Sequence, residues 1–281
     1  MNLYTTWICI FFIICQYSLP VYSQPENLNR RYIPSAININ TKNLKKCAAS
    51  AISSPLFVTA VATAGSLVVN TGYSVQTTNQ IKEGANATGG VLGEDGYSLV
   101  NFLYYWAGNN SKGITGTTID GKGFPYEARL FNKNNKYATL EEAVEHKDGI
   151  FDFVFLFNIC STTNLVFEKL SKIIQRVARA GSFTPAFVGT QIISIDFIPL
   201  NSPYYSYRGT IRDVDTGKTY KCSTVVVIKP NPGYCITQKQ FDETFGPLKN
   251  FQGKSFSNTL PRDPSPGKVS LCKVVTQKIY V

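Results

Sequence analysis

Two stretches decide the predicted fold: residues 99–108, LVNFLYYWAG, and residues 126–132, YEARLFN. Both alternate as β-strands do, since successive side chains of a strand point to opposite faces. This alternation groups on one face of each strand Asn101, Leu103 and Tyr105 from the first stretch, and Glu127, Arg129 and Phe131 from the second. If the two strands are neighbours, these polar and charged groups meet inside a chain rich in apolar strands. A functional site is expected at such a place.

The N-terminus predicts a secreted protein. Residues 7–15 are an unbroken apolar run, and the polar segment after it ends in VYS, which offers the compact residues that a signal peptidase reads. We therefore interpret residues 1–23 as a signal peptide and residues 24–281 as a single domain. The apolar run is too short to span a bilayer, and the charged C-terminal KVVTQKIYV does not fit a lipid-anchor signal. We expect no transmembrane anchor.

The cysteines and glycosylation motifs agree with export. An odd number of cysteines follows the predicted leader: Cys47, Cys160, Cys222, Cys235 and Cys272. Disulfide bonds with one thiol left over are the simplest interpretation, and the wide spacing favours them over a metal site, although metal binding is the alternative. Asn86 in NAT and Asn109 in NNS are candidate N-glycosylation sites. The only histidine, His146, has no second ligand nearby and is interpreted as a surface residue.

The formal net charge of +10 indicates acidic partners. For an exported protein these would be sulfated polysaccharide or an anionic membrane surface, with nucleic acid excluded, while a charge that only aids solubility is the alternative. The apolar stripe of residues 165–180 predicts a long helix that ends at Gly181. Its i, i+3, i+7, i+10 spacing aligns four basic residues as a candidate polyanion site: Lys169, Lys172, Arg176 and Arg179. A solvated face without a ligand is the alternative.

The remaining chain is dominated by strands. Thr139 and Glu142 have capping-box spacing and predict a short helix, and the glycine-rich residues 82–96 predict a loop. Strands are predicted at a short edge containing Ile37 and Ile39 and at residues 57–61, 66–69, 71–78, 150–159, 192–200, 205–211, 222–228 and 269–281. This pattern predicts a mainly β (α+β) domain with one large, mostly antiparallel sheet and peripheral helices.

Several motifs in one order carry a family resemblance. They read PSAININT, LVNFLYYWAG, GTTIDGKGFPYEARLFNKNNKY, EEAVEHKDGIFDFVFLF, SPYYSYRGTI and NTLPRD. In this order and spacing they resemble an α-class carbonic anhydrase along essentially the whole mature chain. The resemblance implies a twisted ten-stranded central sheet that forms the floor of a conical cleft. In that family, three histidines in the cleft hold a zinc ion, which converts bound water into the attacking hydroxide.

The residues at the family's ligand positions differ from histidine. The resemblance places the three ligands on Leu103, Tyr105 and Arg129. Leucine has no ligand atom, and arginine stays protonated and would repel the metal. It also assigns the rest of the former cleft: Tyr73 at the proton-shuttle histidine, Asn101 beside the ligands, Glu127 at a ligand-supporting carboxylate, Phe131 and Asp152 at the carbon dioxide pocket, and Ile211 and Arg212 where a hydroxide-orienting threonine is expected.

These substitutions lead to a functional interpretation. We expect a secreted carbonic anhydrase-like domain without catalysis or cofactor, serving as an extracellular binding, adhesion or structural protein. Its partner would be a sulfated glycosaminoglycan or an extracellular protein. The main alternative is an active carbonic anhydrase or hydrolase with a non-standard site, and a passive storage role is a third.

The resemblance also implies side-chain pairings. Arg129 is expected to pair internally with Asp152 and Glu127, because an unpaired buried charge costs several kcal/mol. The alternative is that Arg129 reaches solvent through the mouth of the cleft. The family's sheet favours the disulfides Cys47–Cys272 and Cys160–Cys235, with Cys222 buried and free. A Cys47–Cys222 bond is the rival, because secreted members of the family join similar positions.

Overall fold

The fold is described from a computed structural model, for residues 32–48, 55–59, 67–78, 86–108, 115–185, 202–230, 235–263, 267–272 and 276–279. The strands are β1 (Tyr32–Pro34), β2 (Asn38–Ile39), β3 (Lys45–Lys46), β4 (Leu56–Thr59), β5 (Leu67–Asn70), β6 (Val75–Thr78), β7 (Asn86–Gly89), β8 (Tyr97–Trp106), β9 (Thr118–Ile119), β10 (Tyr126–Asn134), β11 (Ile150–Cys160), β12 (Phe183–Pro185), β13 (Tyr204–Asp213), β14 (Thr219–Ile228), β15 (Cys235–Thr237), β16 (Ser270–Cys272) and β17 (Thr276–Ile279). The α-helices are α1 (Leu140–Val144), α2 (Leu165–Ile174) and α3 (Gln238–Phe245).

One large mixed sheet organises the chain. Its longest path has ten strands in the order β12-β5-β6-β8-β10-β11-β14-β13-β16-β3. Neighbours on this path are antiparallel except β11 with β14 and β16 with β3. Strands β1, β4, β7, β15 and β17 join outside this path. The predicted mainly β fold, with a mostly antiparallel central sheet and few helices, is confirmed.

The central strands divide the core into two faces, as the alternation predicted. On one face of the sheet, Phe102, Tyr104 and Trp106 of β8 pack in the largest apolar cluster, together with residues of α2 and α3. The opposite face carries Leu103, Tyr105 and Phe131 into a second cluster. Helices α2 and α3 therefore cover one side of the sheet, while α1 packs on the other side, where the predicted polar site lies.

Side-chain caps fix where the helices begin. Thr139 accepts a hydrogen bond from the Glu142 amide (3.1 Å) at the start of α1, but Glu142 Oε2 accepts from the Ala138 amide (2.8 Å), so only half of the predicted capping box forms. Asn164 accepts one from the amide of Phe167 (3.0 Å) at the start of α2. Thr237 forms a capping box for α3, a helix that the sequence analysis missed.

The predicted helix at residues 165–180 is too long. The α-helix ends at Ile174 and is followed by a 3-10 turn, Gln175–Val177. The buried amide of Asn70 donates to the carbonyls of Val177 (2.9 Å) and Ala178 (3.4 Å). These carbonyls are satisfied from outside the helix, so the chain can turn away before Gly181.

The glycine-rich residues 82–96 were wrongly predicted to be loop throughout. They contain β7, which pairs with β4 and β8, and a 3-10 turn, Gly90–Leu92. Backbone pairing needs no side chain, and a Cβ on Gly90 would lie 2.8 Å from the Tyr204 hydroxyl. These glycines therefore allow close packing within the sheet.

Two strands are described within the predicted strand at residues 269–281, and residues 273–275 between them lie outside the described residues. They are β16, which pairs with β13 and β3, and β17, which pairs with β4. The predicted strand at residues 192–200, the leader at residues 1–23 and Asn109 lie outside the described residues. Asn86 lies at the start of β7. None of the described helices is long and apolar enough to cross a membrane.

Both predicted disulfides are present. Cys47 bonds to Cys272, with a Cα–Cα distance of 5.1 Å, and Cys160 bonds to Cys235, with a distance of 5.7 Å. The first bond joins segments beside the paired strands β3 and β16, and the second joins the paired strands β11 and β15. Cys222 is free and buried, so the rival bond to Cys47 is absent.

Candidate functional site

The strand register brings the three predicted ligand positions together. β10 lies between β8 and β11, with Arg129 directly opposite Leu103 and Glu127 opposite Tyr105. On the other side of β10, Phe131 is opposite Asp152 of β11. Because residues two apart in a strand share a face, the side chains at these positions converge on one side of the sheet.

Arg129 is the centre of this group, and its side chain is 0% exposed. Its Nε donates to Glu127 Oε1 (2.6 Å), and its Nη2 lies 2.6 Å from the same oxygen. Its Nη1 donates to Asp152 Oδ2. The predicted internal ion pair with both carboxylates is confirmed, and the alternative that Arg129 reaches solvent is wrong.

Neutral groups complete the arrangement around Arg129. Nη1 also donates to the Ser35 carbonyl (3.4 Å), and Nη2 donates to the Thr117 hydroxyl (3.2 Å). The Tyr105 ring centroid lies 5.9 Å from the guanidinium carbon, within cation–π range. The guanidinium is therefore held by charge, hydrogen bonds and an aromatic face.

Glu127 is fixed by the loop that precedes β10. Its Oε2 accepts from the Thr115 hydroxyl (3.1 Å) and the Thr117 amide (3.1 Å), and its Oε1 accepts from the Thr117 hydroxyl (3.0 Å). Roles for Ser35, Thr115 and Thr117 were not predicted from the sequence. The available signal was the hydroxyl-rich run GITGTTID. Strand periodicity does not predict that Thr115 and Thr117 contact Glu127, which lies further along the chain.

Burial and charge act in opposite directions on the titratable groups. Burial raises the pKa of Asp152 to about 6, although the charge of Arg129 lowers it. Burial lowers the pKa of Arg129, but attraction to Asp152 and Glu127 outweighs this, so the pKa lies above its ordinary value. Burial also raises the pKa of Tyr207, although the nearby charge of Arg129 lowers it. Arg129 therefore stays protonated at any physiological pH.

A zinc ion does not fit these residues. A catalytic zinc needs three neutral or anionic donor side chains and an open position. Leu103 has no donor atom, Arg129 is a paired cation, and Tyr105 is a buried phenol. Within the described residues, no group of three or more His, Cys, Asp or Glu side chains could hold a metal.

The other predicted cleft residues are spread between core and surface. Ile211 is buried in the same cluster as Leu103, and Asn101 is half-buried. Tyr73 is 66% exposed and packs edge-to-face against Phe251, and Arg212 is exposed on β13. The structure therefore brings together the ligand and pocket positions but leaves Tyr73 and Arg212 at the surface.

The predicted basic row is exposed, but it does not follow a single helix. Lys169 and Lys172 lie on α2, Arg176 lies in the 3-10 turn, and Arg179 lies beyond it. Lys172 Nζ also pairs with Glu168 (2.9 Å). The prediction of one straight helical row of four cations is wrong because the helix ends early. His146 is exposed, as predicted, and stacks on Tyr137 with ring centroids 4.3 Å apart.

Comparison with known proteins agrees with this fold. A short region of the chain is similar to human carbonic anhydrase 7, with 38% identity over 85 residues. That match spans 30% of this chain and 31% of the human protein, so it covers less than a third of either. A profile of the eukaryotic-type carbonic anhydrase family matches residues 30–243, which include all of the strands around Arg129. The chain belongs to the eukaryotic-type carbonic anhydrase family.

Proposed function

We propose that this protein is a secreted carbonic anhydrase-like domain that does not hydrate carbon dioxide and serves as an extracellular binding, adhesion or structural protein. The observation that carries the proposal is the buried Arg129, ion-paired to Glu127 and Asp152 in the central strands. In this proposal, Leu103, Tyr105 and Arg129 replace the family's three zinc ligands.

The electrostatics of Arg129 support this proposal. A divalent cation at the face shared by Leu103 and Arg129 would lie beside a fixed guanidinium, whose repulsion is strong where water is excluded. Binding of the metal would also break hydrogen bonds to two carboxylates. Without a metal, water keeps a pKa of about 15.7 in place of about 7, so the hydroxide nucleophile is not formed at neutral pH.

The extracellular location is part of the proposal. Stable disulfides are typical of oxidising compartments, and this chain has two, which join cysteines 225 and 75 residues apart in the sequence. The apolar segment at residues 1–23 has the form of a signal peptide, and Asn86 and Asn109 have glycosylation motifs. These features support export.

A sulfated glycosaminoglycan is the proposed class of partner, with an extracellular protein as the alternative. The net charge of +10 supports an anionic partner. Four basic residues near α2 are exposed: Lys169, Lys172, Arg176 and Arg179. Among the described ion pairs, only Lys172 of these four has an acidic partner, Glu168. Their charges remain available to a polymer even though they do not form one straight row.

A carbon dioxide hydration assay tests the catalytic part of the proposal. The purified mature protein, supplied with zinc, should give the uncatalysed rate, and a sulfonamide inhibitor should leave that rate unchanged. An active carbonic anhydrase measured in parallel provides the reference. Hydration above background that a sulfonamide suppresses would favour the alternative of an active enzyme with a non-standard site.

A further inference from the structure

A second charged site lies on the opposite side of the sheet from Arg129. By strand alternation, Ser206, Arg208 and Thr224 lie on one face of β13 and β14, and Tyr207 and Val225 share the face of Asp152. Ser206, Arg208 and Thr224 line a surface pocket of about 410 Å³, whose wall also includes Tyr207, Lys268, Ser270 and the turn from Gly90 to Gly93. This volume is within the range of about 300–1,000 Å³ for small-molecule sites.

The pocket is basic and has no acidic lining residue among the described ones. Arg208 and Lys268 both line it. Lys45, which pairs with Ser270 in the register of β3 and β16, lies near Lys268, and interaction with Lys268 lowers the pKa of Lys45. Within the described chain, none of these three cations has a carboxylate ion-pair partner.

This charge arrangement is unfavourable for folding alone. Lys45 on β3 and Lys268, which precedes β16, carry like charges that repel each other. A bound anion would relieve this repulsion between Lys45 and Lys268.

Hydroxyl groups complete the site. Ser206 and Ser270 are direct cross-strand partners, and both line the pocket. Ser206 is 8% exposed, and neither hydroxyl forms a hydrogen bond to another described residue. Both are therefore available as donors to an oxygen-rich ligand.

The position of Arg208 is fixed. Its Nη1 donates to the Thr224 hydroxyl (2.7 Å) and to the Lys147 carbonyl (2.8 Å). A guanidinium has five N–H donors in a planar fork, so further donors remain to contact an anion. Arginine held in this way suits the bidentate recognition of sulfate or phosphate oxygens.

We propose that the pocket lined by Ser206, Arg208, Lys268 and Ser270 binds a tetrahedral oxyanion group, as carried by a sulfated sugar or a phosphate ester. The arginine and the lysines would neutralise the charge, and the two serine hydroxyls would donate to the oxygens. The identity of the polymer as a sulfated glycosaminoglycan rests on the proposed extracellular function. The pocket is separate from the basic residues near α2.

Calorimetric titration of the mature protein tests this site. The probes are inorganic sulfate, inorganic phosphate, a sulfated disaccharide and the same disaccharide without sulfate. The sulfated disaccharide should bind and the desulfated one should not, because the charge-assisted contacts would be lost. Tighter binding of the sulfated disaccharide than of inorganic phosphate assigns the site to a sulfated sugar, and the reverse order assigns it to a phosphate ester. Binding of the desulfated disaccharide with the same affinity would overturn the proposal.

Variants locate the binding. Arg208→Gln with Lys268→Gln should weaken binding of the preferred anion by about tenfold or more, as expected for the loss of charge-assisted hydrogen bonds. Arg212→Gln is the matched control, an exposed arginine on the same strand that does not line this pocket, and it should change affinity by less than about twofold. Unchanged affinity in the double variant, or an equal loss in the control, would contradict the proposal. If the double variant fails to fold, Lys268→Gln alone, at an exposed side chain, gives the same comparison. None of these results bears on carbon dioxide hydration, so failure here is distinct from failure of the non-catalytic proposal.

Discussion

Arg129 and Asp152 form a fully buried ion pair between the central strands β10 and β11. Glu127 binds the same guanidinium from the other side, so two carboxylates share one cation. Removing such charges from water is expensive, and their attraction compensates only when the hydrogen bonds are well satisfied. The cluster therefore makes the centre of the sheet sensitive to the loss of any single charge.

Replacing Arg129 alone should destabilise the protein strongly. Arg129→Met removes the cation and leaves Glu127 and Asp152 as uncompensated buried acids, so the free energy of unfolding should fall by about 3–5 kcal/mol. Urea unfolding of the wild type and the variant measures this loss. The triple variant Arg129→Met, Glu127→Gln, Asp152→Asn should recover part of it, because no buried charge is left unpaired. A loss below about 1 kcal/mol in Arg129→Met, the range of a surface pair, would contradict the buried pair.

The pKa of Asp152 predicts a pH dependence of stability. Its folded-state pKa of about 6 lies above the ordinary value of 3.8, so between these values the folded state binds more protons than the unfolded state. The contribution of Asp152 to stability is therefore fully present below the ordinary pKa and is lost as the pH rises through about 6. Over this pH window, the free energy of unfolding of the wild type should fall relative to that of Asp152→Asn. Above it, the two curves should run parallel. Parallel curves throughout would show that the pKa shift of Asp152 is absent. A relative gain in stability with rising pH would show that the shift has the opposite sign.

Much of the central site was predictable from local patterns. Strand alternation gave the two faces of β8 and β10, and the resemblance gave their pairing, so the convergence of Leu103, Tyr105 and Arg129 followed. The partners of Arg129 also followed, since a buried charge needs an opposite one and Asp152 is the one charged residue in an apolar strand. Both disulfides followed from the strand neighbours that the resemblance implied.

Other features depend on contacts that no periodic pattern carries. The chain turns away after α2 where Asn70, 107 residues before Val177, donates to the carbonyl of Val177 in the following 3-10 turn. β7 forms through backbone pairing in a segment whose glycines indicated a loop. The helix α3 had a capping signal, Thr237 and Gln240, but only about one turn of apolar periodicity follows it, from Phe241 to Phe245. The pocket around Arg208 is formed by β13, β14 and β16, so predicting it required the pairing register of these strands.

The free thiol should be inert in the folded protein. Cys222 is buried, and burial raises the pKa of its thiol to about 12, so little reactive thiolate forms near neutral pH. Iodoacetamide should leave native protein unlabelled and should add one label after unfolding without reduction, as measured by mass spectrometry. Peptide mapping of the same samples should recover Cys47–Cys272 and Cys160–Cys235. A label at Cys160 or Cys272, or a Cys47–Cys222 peptide, would refute the assignment.

The basic residues near α2 should contribute to retention on heparin. Changing Lys169, Lys172, Arg176 and Arg179 to glutamine should lower the salt concentration at which the protein elutes, because fewer cations exchange for bound counterions. Lys239→Gln, at an exposed lysine on α3, is the control for the loss of a surface charge and should elute close to the wild type. Unchanged elution of the quadruple variant would place heparin binding elsewhere, and a further loss in the Arg208→Gln, Lys268→Gln variant would assign it to the pocket.

Zinc content tests the central claim most directly. The mature protein is dialysed with excess zinc, freed of unbound metal and measured by elemental analysis beside an active carbonic anhydrase. The variant Leu103→His, Tyr105→His, Arg129→His restores the family's donor set and serves as the matched comparison if it folds. We predict no stoichiometric zinc in the wild type, because Leu103 offers no donor and Arg129 places a paired cation at the site. One tightly held zinc per wild-type chain would contradict the proposal of a non-catalytic domain.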